Sequence, residues 1–316
     1  MVKVYGNKAT RFGFGEALVE LGKKDEKIFV LGADTVSSVA INGFQKSFPE
    51  RFANVGIAES NMLGMASGLA LAGFVPFVAT YGVFASGRPW EQIRTTICYS
   101  NLNVKIGGSH SGLMVGPDGA THQALEEIAI MRCLPKMTLL SPCDAIETKK
   151  ATMAAAYFNG PVYIRYGREN IPVITEETAP FEIGKAQIMK EGQDVCIMAT
   201  GTMVYESLMS AEILEKEGIN AKVINIHTIK PIDEKAIIDA AKECGAIVTA
   251  EEHQIFGGFG SAVAEVVVKN MPVPMEFIGM KDSFGESGKP SELMAKFGLK
   301  DVNIVNAVKK VLSRKS

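Results

Sequence analysis

Short runs of β-branched and apolar residues alternate along this chain with stretches whose apolar positions recur at helical spacing. The runs Lys27 to Leu31, Val75 to Thr80, Val104 to Gly107, Thr138 to Ser141 and Val162 to Tyr166 have strand length. Helical patterns separate them, which predicts βαβ units and a mostly parallel sheet. A polar, proline-containing stretch, Asn170 to Pro180, interrupts the alternation and reads as a linker. The pattern then restarts with strand Val195 to Ala199, a helix from about Tyr205 to Glu217, strand Ala221 to Asn225, a helix near Glu234 to Glu243, and strand Ala246 to Ala250. The fold predicted is therefore α/β in two domains, with helices on both faces of each sheet. A parallel, doubly wound sheet of six strands occupies residues 1–178, and a smaller mixed sheet occupies residues 179–316.

One helical segment departs from the usual amphipathic pattern. After Gly56-Ile57-Ala58-Glu59, residues Gly64, Ala66, Ser67, Gly68, Ala70 and Ala72 make a helix small or apolar nearly all round. Such a helix is expected to be buried against other backbone. Glu59 falls in its first turn, where a carboxylate complements the helix dipole. Taken alone, the segment leaves a structural and a chemical role for Glu59 both open.

Composition narrows the field. A chain of 316 residues, 47% hydrophobic with 31 glycines, is long enough for two full cores. A net charge of -2 with scattered lysines gives no electrostatic footprint for nucleic acid. No apolar run has signal-peptide or membrane-spanning length, so a cytoplasmic location is expected. The five cysteines are widely spaced without C-x-x-C, and the four histidines lack H-x-x-x-H spacing. Neither a disulfide framework nor an all-protein metal site is indicated, and most of the thiols are expected to be buried and inert.

Three glycine-rich stretches invite a phosphate-loop reading and fail it. Gly285-Glu286-Ser287-Gly288-Lys289-Pro290-Ser291 has Ser283 and Pro290 where a Walker motif needs glycine and Ser or Thr. Gly13-Phe14-Gly15 and Gly258-Phe259-Gly260 lack the third glycine of a dinucleotide fingerprint, so turn and helix-entry roles are expected. Other residues have chemical potential. Tyr81 and Phe84 stand three apart after a strand and could present two rings on one side of a turn or pack in the core. The loop from Ser109 to Gln123 carries His110, Asp118 and His122 beyond a parallel strand, where α/β proteins build sites. Asp118 either shapes a turn or binds hydroxyls, and His122 either opens a helix from Gln123 to Leu134 or moves protons near neutral pH. Val162 to Glu169 ends a strand with two arginines, Arg165 and Arg168, a residue type that at a strand's carboxyl end suits phosphate.

In this order, Gly56-Ile57-Ala58-Glu59, the Tyr81/Phe84 pair, Asp118-Gly119-Ala120-Thr121-His122-Gln123 and Tyr166-Gly167-Arg168-Glu169-Asn170-Ile171-Pro172 resemble the C-terminal half of transketolase. The resemblance spans the whole chain: the pyrimidine-binding domain and the small C-terminal domain of a thiamine diphosphate family. It implies that Glu59 hydrogen-bonds a ring nitrogen of the cofactor's aminopyrimidine and favours the tautomer that activates the thiazolium. It implies further that Tyr81 and Phe84 flank that ring and that Asp34 lies near the cofactor. Asp118 and His122 would bind ketose hydroxyls, with His122 also catalytic, while Arg168, Ser38 and His110 would meet the phosphate end. A third aromatic found in some relatives is Gly87 here.

In the same family a Gly-Asp-Gly segment on a preceding domain holds the diphosphate through Mg²⁺. No Gly-Asp-Gly occurs in this chain. The resemblance therefore implies the C-terminal subunit of a split transketolase. It would act on sugar phosphates only with an N-terminal partner subunit that brings Mg²⁺, as a homodimer core within a heterotetramer. The rival resemblances are to 1-deoxy-D-xylulose-5-phosphate synthase and to the β subunit of a 2-oxoacid dehydrogenase. A non-catalytic binding protein of the same fold is the alternative from a different class.

Overall fold

The computed structural model describes residues 2–315. In chain order the first strands are β1 (Asn7–Ala9), β2 (Ile28–Gly32), β3 (Phe52–Asn54), β4 (Val75–Tyr81), β5 (Lys105–Ser109), β6 (Thr138–Leu140), β7 (Val162–Arg165) and β8 (Asn170–Pro172). There follow β9 (Gln187–Lys190), β10 (Val195–Ala199), β11 (Ala221–Asn225), β12 (Thr228–Lys230), β13 (Ile247–Gln254) and β14 (Met275–Met280). The larger sheet has the order β12-β6-β7-β5-β4-β2-β3, and the smaller one β14-β13-β10-β11-β9. Six strands of the larger sheet are parallel, as the alternation predicts. The seventh, β12, comes from the C-terminal half of the chain and runs antiparallel to β6, pairing Thr228 with Leu140. The smaller sheet is mixed because β9 is antiparallel to β11.

Covering a parallel sheet on both faces explains why its strands read as nearly continuous apolar runs. On one face, Phe14 and Leu18 of helix Thr10–Lys24 and Ala151 and Ala155 of helix Ala145–Tyr157 pack on Val30, Phe77 and Ile164. The helices approach closely because a Cβ at Gly13 would lie 2.0 Å from the Ala145 carbonyl oxygen. That packing, rather than phosphate binding, accounts for the Gly13-Phe14-Gly15 stretch. On the other face, Met62 and Leu63 of helix Glu59–Leu71 and Ile128 and Met131 of helix Glu127–Arg132 join a cluster that continues into Met198, Ile224 and Phe259 of the C-terminal half. Each large side chain buried in this way contributes about 1.5–3 kcal/mol.

The polar seam between the halves is equally continuous. At the end of β7, the buried Arg165 pairs with the buried Glu127 at 2.5 Å and donates to the Glu252 carbonyl at 2.7 Å. The Glu252 carboxylate accepts from the Met114 amide at 2.6 Å and from the Thr202 hydroxyl at 2.7 Å. Next to it, Glu251 caps helix Phe259–Asn270 by accepting from the Phe259 and Gly260 amides. That bond gives Gly258-Phe259-Gly260 its expected helix-entry role.

Three expectations change. The stretch read as a linker from Asn170 begins as β8, which pairs antiparallel with β1. The helix expected from Gln123 starts only at Glu127, because Ala124 is held extended against Ser111 and its carbonyl accepts from the Gly112 amide at 2.8 Å. Helix Glu59–Leu71 is not buried all round: Gly64, Met65, Gly68 and Leu71 face outward in the single chain. The segment's small residues therefore make an open face rather than an interior one. Four of the five thiols are buried, as expected of most of them, and Cys133 is exposed.

Candidate active site at the carboxyl edge of the larger sheet

Parallel strands aim the loops after them at one edge, and five loops of the larger sheet converge there. Asp34 follows β2, Glu59 follows β3, Tyr81 closes β4, His110 follows β5 and Arg168 follows β7. His122 arrives on the long loop between β5 and β6. This loop contains the 3-10 turn Leu113–Asp118, broken at Gly116 with φ of +73°, a left-handed conformation that favours glycine.

The rings form one cluster. Tyr81 and Phe84 stack with centroids 5.9 Å apart and planes within 8°. On the far side of Tyr81, the His110 ring stacks at 4.0 Å. His122 stands edge-on to both aromatics, 5.9 Å from Tyr81 and 5.4 Å from Phe84. His110 therefore meets Tyr81 by its face, and His122 meets both aromatics by its edge.

Glu59 opens its helix with a side chain only 4% exposed. One terminal nitrogen of Arg88 bridges its two carboxylate oxygens, at 2.9 and 3.0 Å. The same guanidinium lies over the Phe84 ring, 4.1 Å from its centroid. Glu59 and the aromatic pair are thus joined through a residue that the sequence reading passed over. A signal was present: Arg88 follows Phe84 by four residues at the end of helix Gly82–Gly87, a spacing that puts side chains on one face.

His110 is buried and has a left-handed backbone, φ +55°, a strained state for a residue with a side chain. Its Nδ1 meets the Ser109 hydroxyl at 2.9 Å. Burial, reinforced by the nearby charges of Arg11, Arg168 and His122, pushes its pKa down to about 3. His110 is therefore a neutral imidazole at physiological pH. Arg168 donates to Asp118 at 3.1 Å and to the Val115 carbonyl at 3.0 Å, so it fixes the loop on which Asp118 stands. Arg11 is a further cation of this group that the sequence reading missed. It donates to the Ser38 carbonyl at 2.9 Å, which brings Ser38 to the same side as His110 and Arg168. Asp34 instead faces the end of β3: its amide donates to the Asn54 side chain at 2.9 Å, and Asn54 returns a longer bond of 3.4 Å.

The C-terminal half holds this loop in place. Gln123, directly after His122, donates to the Leu113 carbonyl at 3.1 Å and to the Glu286 carbonyl at 2.9 Å. A Cβ at Gly119 would lie 2.4 Å from the Ser287 hydroxyl, and one at Gly116 would touch Pro290 at 3.0 Å. The segment that fails as a Walker motif is therefore the brace for Asp118 and His122.

Chemically, the edge offers a buried carboxylate, a flat aromatic wall, an imidazole at its rim, and a group of arginines beside an aspartate. That set can seat a planar heterocycle on the wall and a polyhydroxylated anion across the rim. Concavities elsewhere, of about 440 Å³ between Glu20 and Lys149 and about 780 Å³ near Asp194 and Lys222, are bordered by surface ion pairs and hold no comparable set. Among the described residues no group of three or more His, Cys, Asp or Glu could hold a metal ion. None of the described helices is long and apolar enough to cross a membrane.

Comparison with known proteins follows the same lines. Family models for the transketolase pyrimidine binding domain and the transketolase C-terminal domain match residues 7–173 and 184–304. The chain is 47% identical over 312 residues to a putative transketolase C-terminal section from Methanocaldococcus jannaschii, covering 98% of each. It is 42% identical to a 6-deoxy-6-sulfo-D-fructose transketolase subunit from a Clostridium species, covering 95% of this chain and 94% of that one. A split gene transketolase solved as an inactive beta4 tetramer superposes with a TM-score of 0.92 at 47% identity, covering 98% of this chain and 99% of that one. With both domain models matched and near-complete coverage of relatives above 40% identity, the chain belongs to the transketolase family as a C-terminal section that carries the pyrimidine-binding and C-terminal domains.

Proposed function

We propose that the chain is the C-terminal subunit of a split transketolase. It transfers a two-carbon ketol unit between ketose and aldose phosphates when joined by an N-terminal subunit. The observation that carries this reading is the buried Glu59 carboxylate set against the stacked Tyr81/Phe84 wall with His122 at its edge. The residues present fit the pyrimidine end of thiamine diphosphate: a carboxylate nearly sealed from water, a flat ring face, and open space where a Cβ at Gly87 would meet nothing within 4 Å. When bound, the cofactor supplies a nucleophilic carbon for attack on a ketose carbonyl.

In this reading Glu59 shares a proton with a ring nitrogen of the heterocycle, and Tyr81 and Phe84 set its plane. Asp34 contributes from the cofactor's side. His122 moves a proton at the donor's hydroxyl, and Asp118 accepts from a second hydroxyl. Arg168 supplies charge at the phosphate end, joined by Ser38 and by His110 as a neutral donor. Mg²⁺ and the diphosphate would be held by the partner, in line with the absence of a Gly-Asp-Gly segment here. The outward face of Gly64, Met65, Gly68 and Leu71 supports a two-fold pair of this chain at the core of a heterotetramer, in the cytoplasm. We divide the chain at residues 178 and 179.

The test is reconstitution. The chain mixed with a partner that carries Gly-Asp-Gly, thiamine diphosphate and Mg²⁺ should transfer ketol units from xylulose 5-phosphate to ribose 5-phosphate, and neither chain alone should. Full activity without a partner overturns the split-enzyme reading. Condensation of pyruvate in place of ketol transfer would move the assignment to a synthase.

A further inference from the structure

Arg88 fills the space between Glu59 and Phe84. Its guanidinium is planar, and it makes two contacts at once: a bridge to both oxygens of Glu59 and a stack on Phe84 at 4.1 Å. A planar aminopyrimidine has the same two demands, a hydrogen bond to a carboxylate and an aromatic face to lie on. The pair is also asymmetric. Glu59 is 4% exposed and fixed at a helix start, whereas 47% of the Arg88 side chain is exposed. The carboxylate cannot leave, but the half-exposed guanidinium can swing into water and regain its hydration, provided another donor takes its place on Glu59.

We propose that Arg88 is a built-in occupant of the pyrimidine cleft, which satisfies Glu59 and covers Phe84 in the empty subunit and must be displaced when a pyrimidine enters. This deepens the proposed function and rests on that reading. An empty cleft without Arg88 would leave a buried carboxylate unpaired, which is costly. With Arg88 the empty subunit is stable and Glu59 is kept from unrelated cations. Pyrimidine binding is then an exchange of one partner for another, so the apparent affinity is lowered by the fraction of subunits in which the pair is closed.

The experiment compares wild type, Arg88→Ala and Arg88→Lys. Each full-length chain is assembled with its partner and titrated calorimetrically with thiamine diphosphate and Mg²⁺. Each chain alone is titrated with thiamine, followed through the single tryptophan, Trp90, two residues away. Arg88→Ala should bind both ligands roughly tenfold tighter than wild type, a difference of about 1.4 kcal/mol. Arg88→Lys, which keeps the charge but loses the planar stack, should fall between. Apo Arg88→Ala should also unfold at a lower temperature than wild type, and saturating cofactor should close that gap. Unchanged or weaker binding by both variants, with wild-type binding intact, overturns the occupant role and leaves the proposed function standing. Failure of the wild-type assembly to bind thiamine diphosphate overturns both.

Discussion

The side-chain amide of Gln123 donates to the backbone carbonyl of Glu286 at 2.9 Å, across 163 residues of sequence. This bond ties the loop carrying Asp118 and His122 to the C-terminal half. Gln123→Ala leaves two carbonyls, those of Leu113 and Glu286, without this donor and should destabilise the chain by about 1–3 kcal/mol. It should also raise the KM for the ketose donor, measured on the reconstituted enzyme. A stability loss with KM unchanged would make the bond purely structural.

Replacing the buried carboxylate tests the chemistry directly. Glu59→Gln should slow exchange of the thiazolium proton by about 10²-fold, in the range for loss of one acid-base group. Proton exchange read by NMR on the assembled enzyme checks this. Exchange at the wild-type rate would return Glu59 to its helix-dipole role.

The rim residues should separate two kinds of substrate contact. His122→Ala should raise the donor KM about tenfold while assembly with the partner is unaffected, equivalent to about 1.4 kcal/mol. Arg168→Ala should reduce the preference for phosphorylated over unphosphorylated sugars. It also frees Asp118, so its effect on KM should exceed that of a simple charge loss. If both variants kept wild-type constants, the sugar would have to bind elsewhere.

Two sets of buried groups set the pH dependence of stability in opposite senses. Burial holds the folded-state pKa of His110 at about 3 and His227 at about 4, below the ordinary value near 6.5. The unfolded chain therefore binds more protons as pH falls below 6.5, and stability is lost on acidification. Burial raises Glu251 to about 8 and Glu147 to about 7, so the folded chain retains protons that the unfolded chain releases. Their contribution is complete below the ordinary carboxylate value of 4.5 and is lost as pH rises to 7 or 8. Between pH 6 and pH 8 the histidines, and Lys105 with its pKa lowered by burial to about 7, oppose the carboxylates, so the test is differential: Glu251→Gln should lose less melting temperature, or gain more, than wild type on going from pH 6 to pH 8. Identical pH profiles for the variant and wild type would mean that Glu251 ionises normally.

The open face of helix Glu59–Leu71 gives a prediction whose sign depends on assembly. A Cβ at Gly68 meets nothing within 4 Å in the single chain. Gly68→Ala should therefore stabilise an isolated chain by about 0.5–1 kcal/mol through reduced backbone entropy. If a second copy packs on this face, the same change should destabilise and weaken association. Denaturation at several protein concentrations, with light scattering, distinguishes the two.

How much of this was legible depended on sequence distance. The runs at Val195 to Ala199 and Ala221 to Asn225 matched their strands because local apolar pattern decides such elements. β12 has three residues, and β14 begins among half-buried positions, so neither announces itself without its partner strand. At the candidate site, the motif residues Glu59, Tyr81, Phe84, Asp118, His122 and Arg168 lie at one edge of the sheet. Arg88 and Arg11 were missed because what marks them is contact with Glu59 and Ser38, 29 and 27 residues away.

The strand Thr228–Lys230 fixes how this protein can be divided. It lies beyond the linker in sequence yet finishes the sheet before the linker, so separating the two domains would strip β6 of its outer neighbour and uncover a raw strand edge. Expressed alone, the first domain would be prone to stick to itself, and the second would carry a loose strand with nothing to join. A cut between the two domains would therefore break a sheet rather than a tether.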